Sequence, residues 1–166
     1  RSVPMVSIVG RLLGYGLLWA GLARIAKRID LDAFSAIAVG AIFIALDQSL
    51  VAGESLFGAI ESKVFAYGVL LLAIDALLAE RLVLSSALAG VAVTLHILVG
   101  AWGVAALAGT ALWTRIGNRR SRALALVALA VTSLPAVILA VRSGSTGSHS
   151  DGGLDPLWIY VDFRHP

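Results

Sequence analysis

Residues Glu61 to Gly103 read ESKVFAYGVLLLAIDALLAERLVLSSALAGVAVTLHILVGAWG, two long apolar runs joined at Glu80-Arg81. Glu61 and Lys63 stand at one end of this stretch and His96 near the other. Folded as two antiparallel helices about Glu80-Arg81, the runs return His96 to the level of Glu61 and Lys63. An acid, an amine and an imidazole then share one face of a membrane.

That reading follows from composition. Hydrophobic residues make up 59% of the 166-residue chain and charged residues 14%, with a mean hydropathy of +0.93. A soluble domain so composed would lack the polar material to cover its surface. The apolar stretches suit helices of about 20 residues and do not alternate with period two, which argues against a barrel. The expected fold is therefore all-α, a polytopic transmembrane helical bundle of about six spans. No cysteine is present, so disulfides and thiolate metal sites are excluded. A net charge of +3 and a pI near 9.8 would suggest nucleic acid in a soluble chain. Here the basic residues cluster between spans, and membrane lipids replace nucleic acid as the expected partner. The first residue is Arg with no leader pattern before the first apolar run, and the last residues are Arg-His-Pro. The expectation is a fragment of a larger membrane domain.

The candidate spans are residues 5–23, 33–46, 64–79, 82–99, 101–114 and 123–141. Arg24, Lys27 and Arg28 follow the first and place its end on the cytoplasmic side, since basic flanks resist translocation. Arg11 then falls in the outer half of that span, where it must snorkel or face a wet cavity. Asp32 precedes the second run as an N-cap, its carboxylate accepting from first-turn amides. Residues 47–62 form an outer connection carrying Asp47, Glu54 and Glu61. Asp75 in the third run is read as a structural pairing rather than as chemistry. Ser86, Gly90 and Thr94 share one face of the fourth helix and suit close helix approach. From Leu82 to Thr114, 33 residues pass without Lys, Arg, Asp or Glu. One helix would be about 50 Å long, so the run is divided at Gly100-Ala-Trp-Gly103 and a fifth helix returns inward. Arg115, Arg119, Arg120 and Arg122 then lie inside. Pro135 is expected to kink the sixth helix. Residues 143–166 read as an extracytoplasmic loop, cut short, with LWIYVDFRHP at its end.

Under this topology the outer face gathers Asp47, Glu54 and Glu61 with Lys63, Arg142 and Arg164 and with His96, His149 and His165. A carboxylate there can act as a general base or hold a divalent metal, and Lys or Arg can neutralise a lipid-linked phosphate. Lys63 and Tyr67 share a face by i, i+4 spacing. Taken singly, Glu61 is a first-turn acid, Lys63 a snorkelling anchor, and Tyr67 and Trp102 interfacial belt residues. His96 lies within an apolar run and needs a hydrogen-bond partner or water. No tight metal-ligand motif, phosphate-cradling loop or nucleophile elbow is present.

The pattern Glu61-Ser-Lys-Val-Phe-Ala-Tyr67, then Glu80-Arg81, Ala87-Leu-Ala-Gly-Val-Ala and His96-Ile-Leu-Val-Gly100-Ala-Trp102 resembles the central spans of GT-C-type membrane glycosyltransferases, above all uncharacterised bacterial GT-C-like proteins. In these an acid precedes one span, a short basic inner turn follows, and an AGxxxGLA helix ends in Lys, Arg or His. Glu61, Arg81 and His96 match those positions, whereas Val-Ala-Val-Thr follows Gly90 where the pattern has a second glycine. Phe163-Arg-His-Pro166 is similar to an outer-loop motif of the same group. The resemblance implies a bacterial inner-membrane transferase using a polyprenyl-phosphate-linked sugar at the extracytoplasmic face. Its implied catalytic residues are Glu61, His96 and Asp47, and its implied substrate-binding residues are Lys63, Tyr67, Trp102, Arg164 and His165. A divalent metal is compatible with that chemistry, and the family places its key acid in a first outer loop that can precede Arg1. Two alternatives are a transporter or flippase fragment and a non-catalytic membrane scaffold for envelope assembly.

Overall fold

Helices occupy the apolar runs, and turns occupy the charged clusters between them. The computed structural model describes residues 3–45 and 62–145. These form α1 (Val3–Arg28), α2 (Ala33–Ala45), α3 (Ser62–Leu78), α4 (Leu82–Leu95), α5 (Ile97–Trp113) and α6 (Arg119–Ser145), with no strand among the described residues. The all-helical class stands as expected. Two segments, Ile8–Arg28 and Arg119–Arg142, are long and apolar enough to cross a membrane. The helices α4 and α5, of 14 and 17 residues, span about 21 and 25 Å against a hydrocarbon core of about 30 Å.

Several boundaries differ from the sequence reading. Helix α1 continues through Arg24, Lys27 and Arg28 rather than stopping at residue 23. Lys and Arg are good helix formers, and cations at a helix C-terminus complement its dipole. Helix α6 begins at Arg119 rather than residue 123, because Asn118 caps it: Asn118 Oδ1 accepts from Ser121 N–H at 2.8 Å. It continues through Pro135. The break between α4 and α5 falls at His96, four residues before the glycine pair expected to make it.

Three helices end at one pole of the bundle in the same way. Asp30, Glu80 and Arg115 adopt left-handed φ values of 55°, 58° and 55°. After each, an amide reaches back five residues: Leu31 to Ala26, Arg81 to Ala76 and Ile116 to Ala111, at 2.9, 2.9 and 3.1 Å. These bonds satisfy carbonyls that the helix ends would leave open. Asp32 then opens α2 as expected, its Oδ1 accepting from Ser35 N–H at 2.9 Å and its Oδ2 from the Ser35 hydroxyl at 2.6 Å. The hydroxyl first, and then the amide, hold the exposed Asp32 carboxyl below its ordinary range.

Packing sets the helix directions. Gly14 lies beside Val64, Gly21 beside Leu71, and Arg28 bonds Asp75, so α1 and α3 run parallel. The turn at Glu80 makes α3 and α4 an antiparallel hairpin. Gly90 of α4 meets Leu129 and Thr132 of α6 while Leu82 meets Gly117, so α4 and α6 run parallel. Helix α5 doubles back over the hairpin, with Gly103 against Leu70. Helix α2 leans on α1 through Gly40 and the Trp19 indole. Ala66, Val69, Leu70 and Ala92 form the buried centre, flanked by Leu17, Leu88, Leu95, Val99 and Leu107 from α1, α4 and α5. Small residues dominate it because backbones, rather than long side chains, meet there.

Gly90 and Thr94 meet α6 as their shared face predicts. Thr94 Oγ1 donates to Thr132 O at 2.8 Å. A Cβ at Gly90 would strike Thr132 Oγ1 and stand 2.7 Å from the Leu129 carbonyl oxygen. Backbone cannot swing aside as a side-chain end can. Gly90→Ala is expected to lower stability by about 1–3 kcal/mol, read by unfolding of the detergent-purified chain.

The α1–α3 contact carries a second requirement. Asp75 is 3% exposed, and its Oδ2 and Oδ1 accept from Arg24 Nε and Arg28 Nε at 2.8 and 2.7 Å. Both guanidiniums reach solvent while the carboxylate does not. Removing the cations therefore strands a buried charge, whereas removing the carboxylate releases two charges to water. The pair Arg24→Gln and Arg28→Gln should cost about 3–5 kcal/mol, and Asp75→Asn distinctly less. Equal losses by chemical unfolding would contradict this asymmetry.

Candidate functional site

The α3–α4 hairpin brings the start of α3 and the end of α4 to one pole, opposite the charged turns. Lys63, in the first turn of α3, is 5% exposed. Tyr67, one turn on, is exposed. The two share a face of α3 as their spacing predicts, about 40° apart around the helix, but they differ in burial, because the edge of the packed surface falls between them. Trp102 is 72% exposed on α5. Its neighbour Gly103 is the residue that faces Leu70. The structure therefore turns the Trp102 indole outward, away from α3. Glu61, Asp47, Glu54, His149, Arg164 and His165 lie outside the described residues.

His96 is half-buried and has an architectural task. Its backbone is extended, with φ −154° and ψ 106°, between two helices that it serves at once. The His96 N–H donates to Ala92 O at 2.9 Å and closes α4, while His96 O accepts from Gly100 N–H at 2.9 Å. Nδ1 accepts from Val99 N–H at 3.3 Å, a long bond that caps α5. That bond needs an unprotonated Nδ1, which leaves the ring proton on Nε2. The partner expected for an imidazole among apolar residues is thus a backbone amide. Gly100 still contributes, packing so closely on Ala92 and Val93 that any side chain there would collide with backbone.

Elsewhere among the described residues, Asp75 stands with Arg24 and Arg28, and these partners hold both carboxylate oxygens. Reading Asp75 as a structural pairing agrees with this geometry. A groove of about 520 Å³ opens between α1 and α2, lined by Trp19, Leu22 and Ala26 with Lys27, Asp30 and Asp32 at its charged end. Sequence reading missed it because helical spacing does not say how far two helices stand apart. Among the described residues no three His, Cys, Asp or Glu side chains come together as a metal site. No family profile, curated protein or solved structure matches the chain.

Two roles for His96 predict different outcomes on substitution. Asn can supply a side-chain oxygen to the Val99 amide, and Ala cannot. If His96 serves the α5 cap, His96→Ala should lose about 0.5–2 kcal/mol of stability while His96→Asn retains most of it. The comparison is read from paired unfolding curves.

Proposed function

We propose that the chain is a polytopic membrane protein whose six helices pack within the bilayer, with the charged turns on the cytoplasmic side and the Lys63–His96 pole on the opposite side. Three observations support the membrane part. Two helices have spanning length and hydropathy. Large apolar side chains point outward on every side, with Phe34 and Trp113 82% and 90% exposed. Arg24, Lys27, Arg28, Arg81, Arg115, Arg119, Arg120 and Arg122 collect at one pole through the helix directions, as a single orientation in a bilayer requires. The segregation of charge carries the reading. The short helices α4 and α5 fit it as a broken pair: each stops at a polar terminus, and His96 lies where both reach the same membrane face.

For activity, we propose a GT-C-like transferase taking a polyprenyl-phosphate-linked sugar at the Lys63–His96 pole. Its support is the resemblance of Glu61 to Trp102 together with the hairpin that returns His96 to the level of Lys63. In this reading the buried Lys63 contributes positive charge behind the site, and an acid of the connection before α3, Glu61 or Asp47, takes the acceptor proton. A second reading, a non-catalytic membrane scaffold, is favoured by the cap at His96 and the double clamp on Asp75. Both commit polar side chains to structural bonds.

Membranes carrying the full chain, supplied with radiolabelled polyprenyl-phosphate sugars, separate these readings. The transferase reading expects product that falls about 10²–10⁴-fold in Glu61→Gln at unchanged protein level. It also expects a loss in His96→Asn, which keeps the cap but removes the imidazole. Full activity in His96→Asn assigns His96 to architecture alone, and absence of turnover with every donor supports the scaffold.

A further inference from the structure

The turn between α5 and α6 is packed on the turn between α3 and α4. Gly117, at φ 81°, sits against Leu82 and Ser121. Arg122 Nε donates to Ile116 O at 3.3 Å and Asn118 caps α6, so this turn is tied at both its flanks. The result is a fixed cationic surface. Arg81, Arg115, Arg119 and Arg120 are all exposed, and no carboxylate among the described residues pairs with any of them. Glu80 is the single acid in these two turns. The neighbouring cations differ: Arg24 and Arg28 share the Asp75 carboxylate, which offsets half of their combined charge.

Helix electrostatics sharpen the contrast. Lys27 and Arg28 occupy the last turn of α1, where the dipole favours cations. Arg119 and Arg120 occupy the first turn of α6, with no acid in that turn, where the dipole opposes them. Two cations at the positive end of a helix, beside two more from adjoining turns, repel one another unless an anion lies outside. Guanidinium forks match phosphate oxygens two at a time.

We propose that this surface docks the headgroup phosphates of anionic phospholipids in the adjoining leaflet. The inference rests on the membrane placement proposed above and is independent of the transferase reading. The occupant is a lipid because these arginines lie in two turns at one end of the bundle, the second directly after Leu112 and Trp113, which are exposed apolar surface. An amphiphile with a phosphate head and an acyl tail meets both at once.

The test reconstitutes the full chain into phosphatidylcholine vesicles with and without phosphatidylglycerol, and compares tryptophan quenching by brominated forms of each lipid. A preference of about tenfold or more for the anionic lipid is expected, since each cation near an anionic surface contributes roughly a fivefold gain. The variant Arg81→Gln/Arg119→Gln/Arg120→Gln should abolish most of it. Arg11→Gln, on an exposed residue near the opposite pole, should leave it intact, and Arg119→Lys/Arg120→Lys, which keeps the charge but loses the forks, should retain part of it and so guards against misfolding of the triple variant. Equal quenching by the two lipids in the native chain overturns the proposal, and so does a preference that survives the triple substitution. Soluble glycerol phosphate at matched ionic strength should not compete; competition would put a soluble phosphate in the site and overturn the lipid assignment. A chain that inserts into neither vesicle refutes the membrane placement itself, an outcome distinct from insertion without preference.

Discussion

The bundle depends on one buried carboxylate. Asp75 lies in the α1–α3 contact with no access to water, and a charge so placed is tolerated only with partners at bonding distance. Arg24 and Arg28, one turn apart on α1, each supply an Nε to a separate oxygen. Two bonds from one helix to one side chain on another fix both the register and the parallel direction of the pair. Gly21 and Gly68 allow that register by letting the backbones close: a Cβ on Gly21 would stand 3.3 Å from the Gly68 carbonyl oxygen. Once α1 and α3 are set, the Glu80 turn sets α4, and the Gly90 and Thr94 contacts set α6.

A two-ended molecule results. At one pole, α1, α3 and α5 terminate in charged residues held left-handed, a backbone conformation that costs of order 1 kcal/mol or more for a side chain other than glycine. Charged groups at these positions keep the turns in a polar medium, and they supply the cations on which orientation in a bilayer would depend. At the other pole, Lys63 is buried and His96 is occupied by helix ends. Of the residues expected to form a site at this pole, Lys63 and His96 are both held in the packing of the bundle.

His96 shows how one residue can satisfy two interpretations. In sequence it is a polar side chain inside an apolar run, a pattern that points equally to a site or to a structural bond. The structure supplies the structural bond, yet leaves Nε2 beyond the cap's needs. Capping therefore does not consume the ring. The distinction lies in chemistry that Asn can or cannot reproduce.

Much of this was legible in one dimension. Periodicity and composition gave six helices, and charge clusters gave their turns, because apolar length and charge are properties of local sequence. Asp32 as a cap and the Gly90–Thr94 face were readable for the same reason, since each depends on neighbours within one or two turns. Other features depend on residues far apart in the chain. The clamp on Asp75 joins positions 51 and 47 residues away, and no spacing rule couples them. Tyr67 and Lys63 share a helical stripe but not a burial, because the edge of a contact is set by the opposing helix. The break at His96 was missed because glycine weakens helices intrinsically, while here the decisive groups were the Val99 amide and the Ala92 carbonyl that His96 serves at once. Sequence by itself determined the helices, their order and the segregation of charge, all carried by residues adjacent in the chain. Only the tertiary structure decided which helices lie side by side, which charges are neutralised and which arginines remain open, because those outcomes depend on distances between helices and on which surfaces packing removes from solvent.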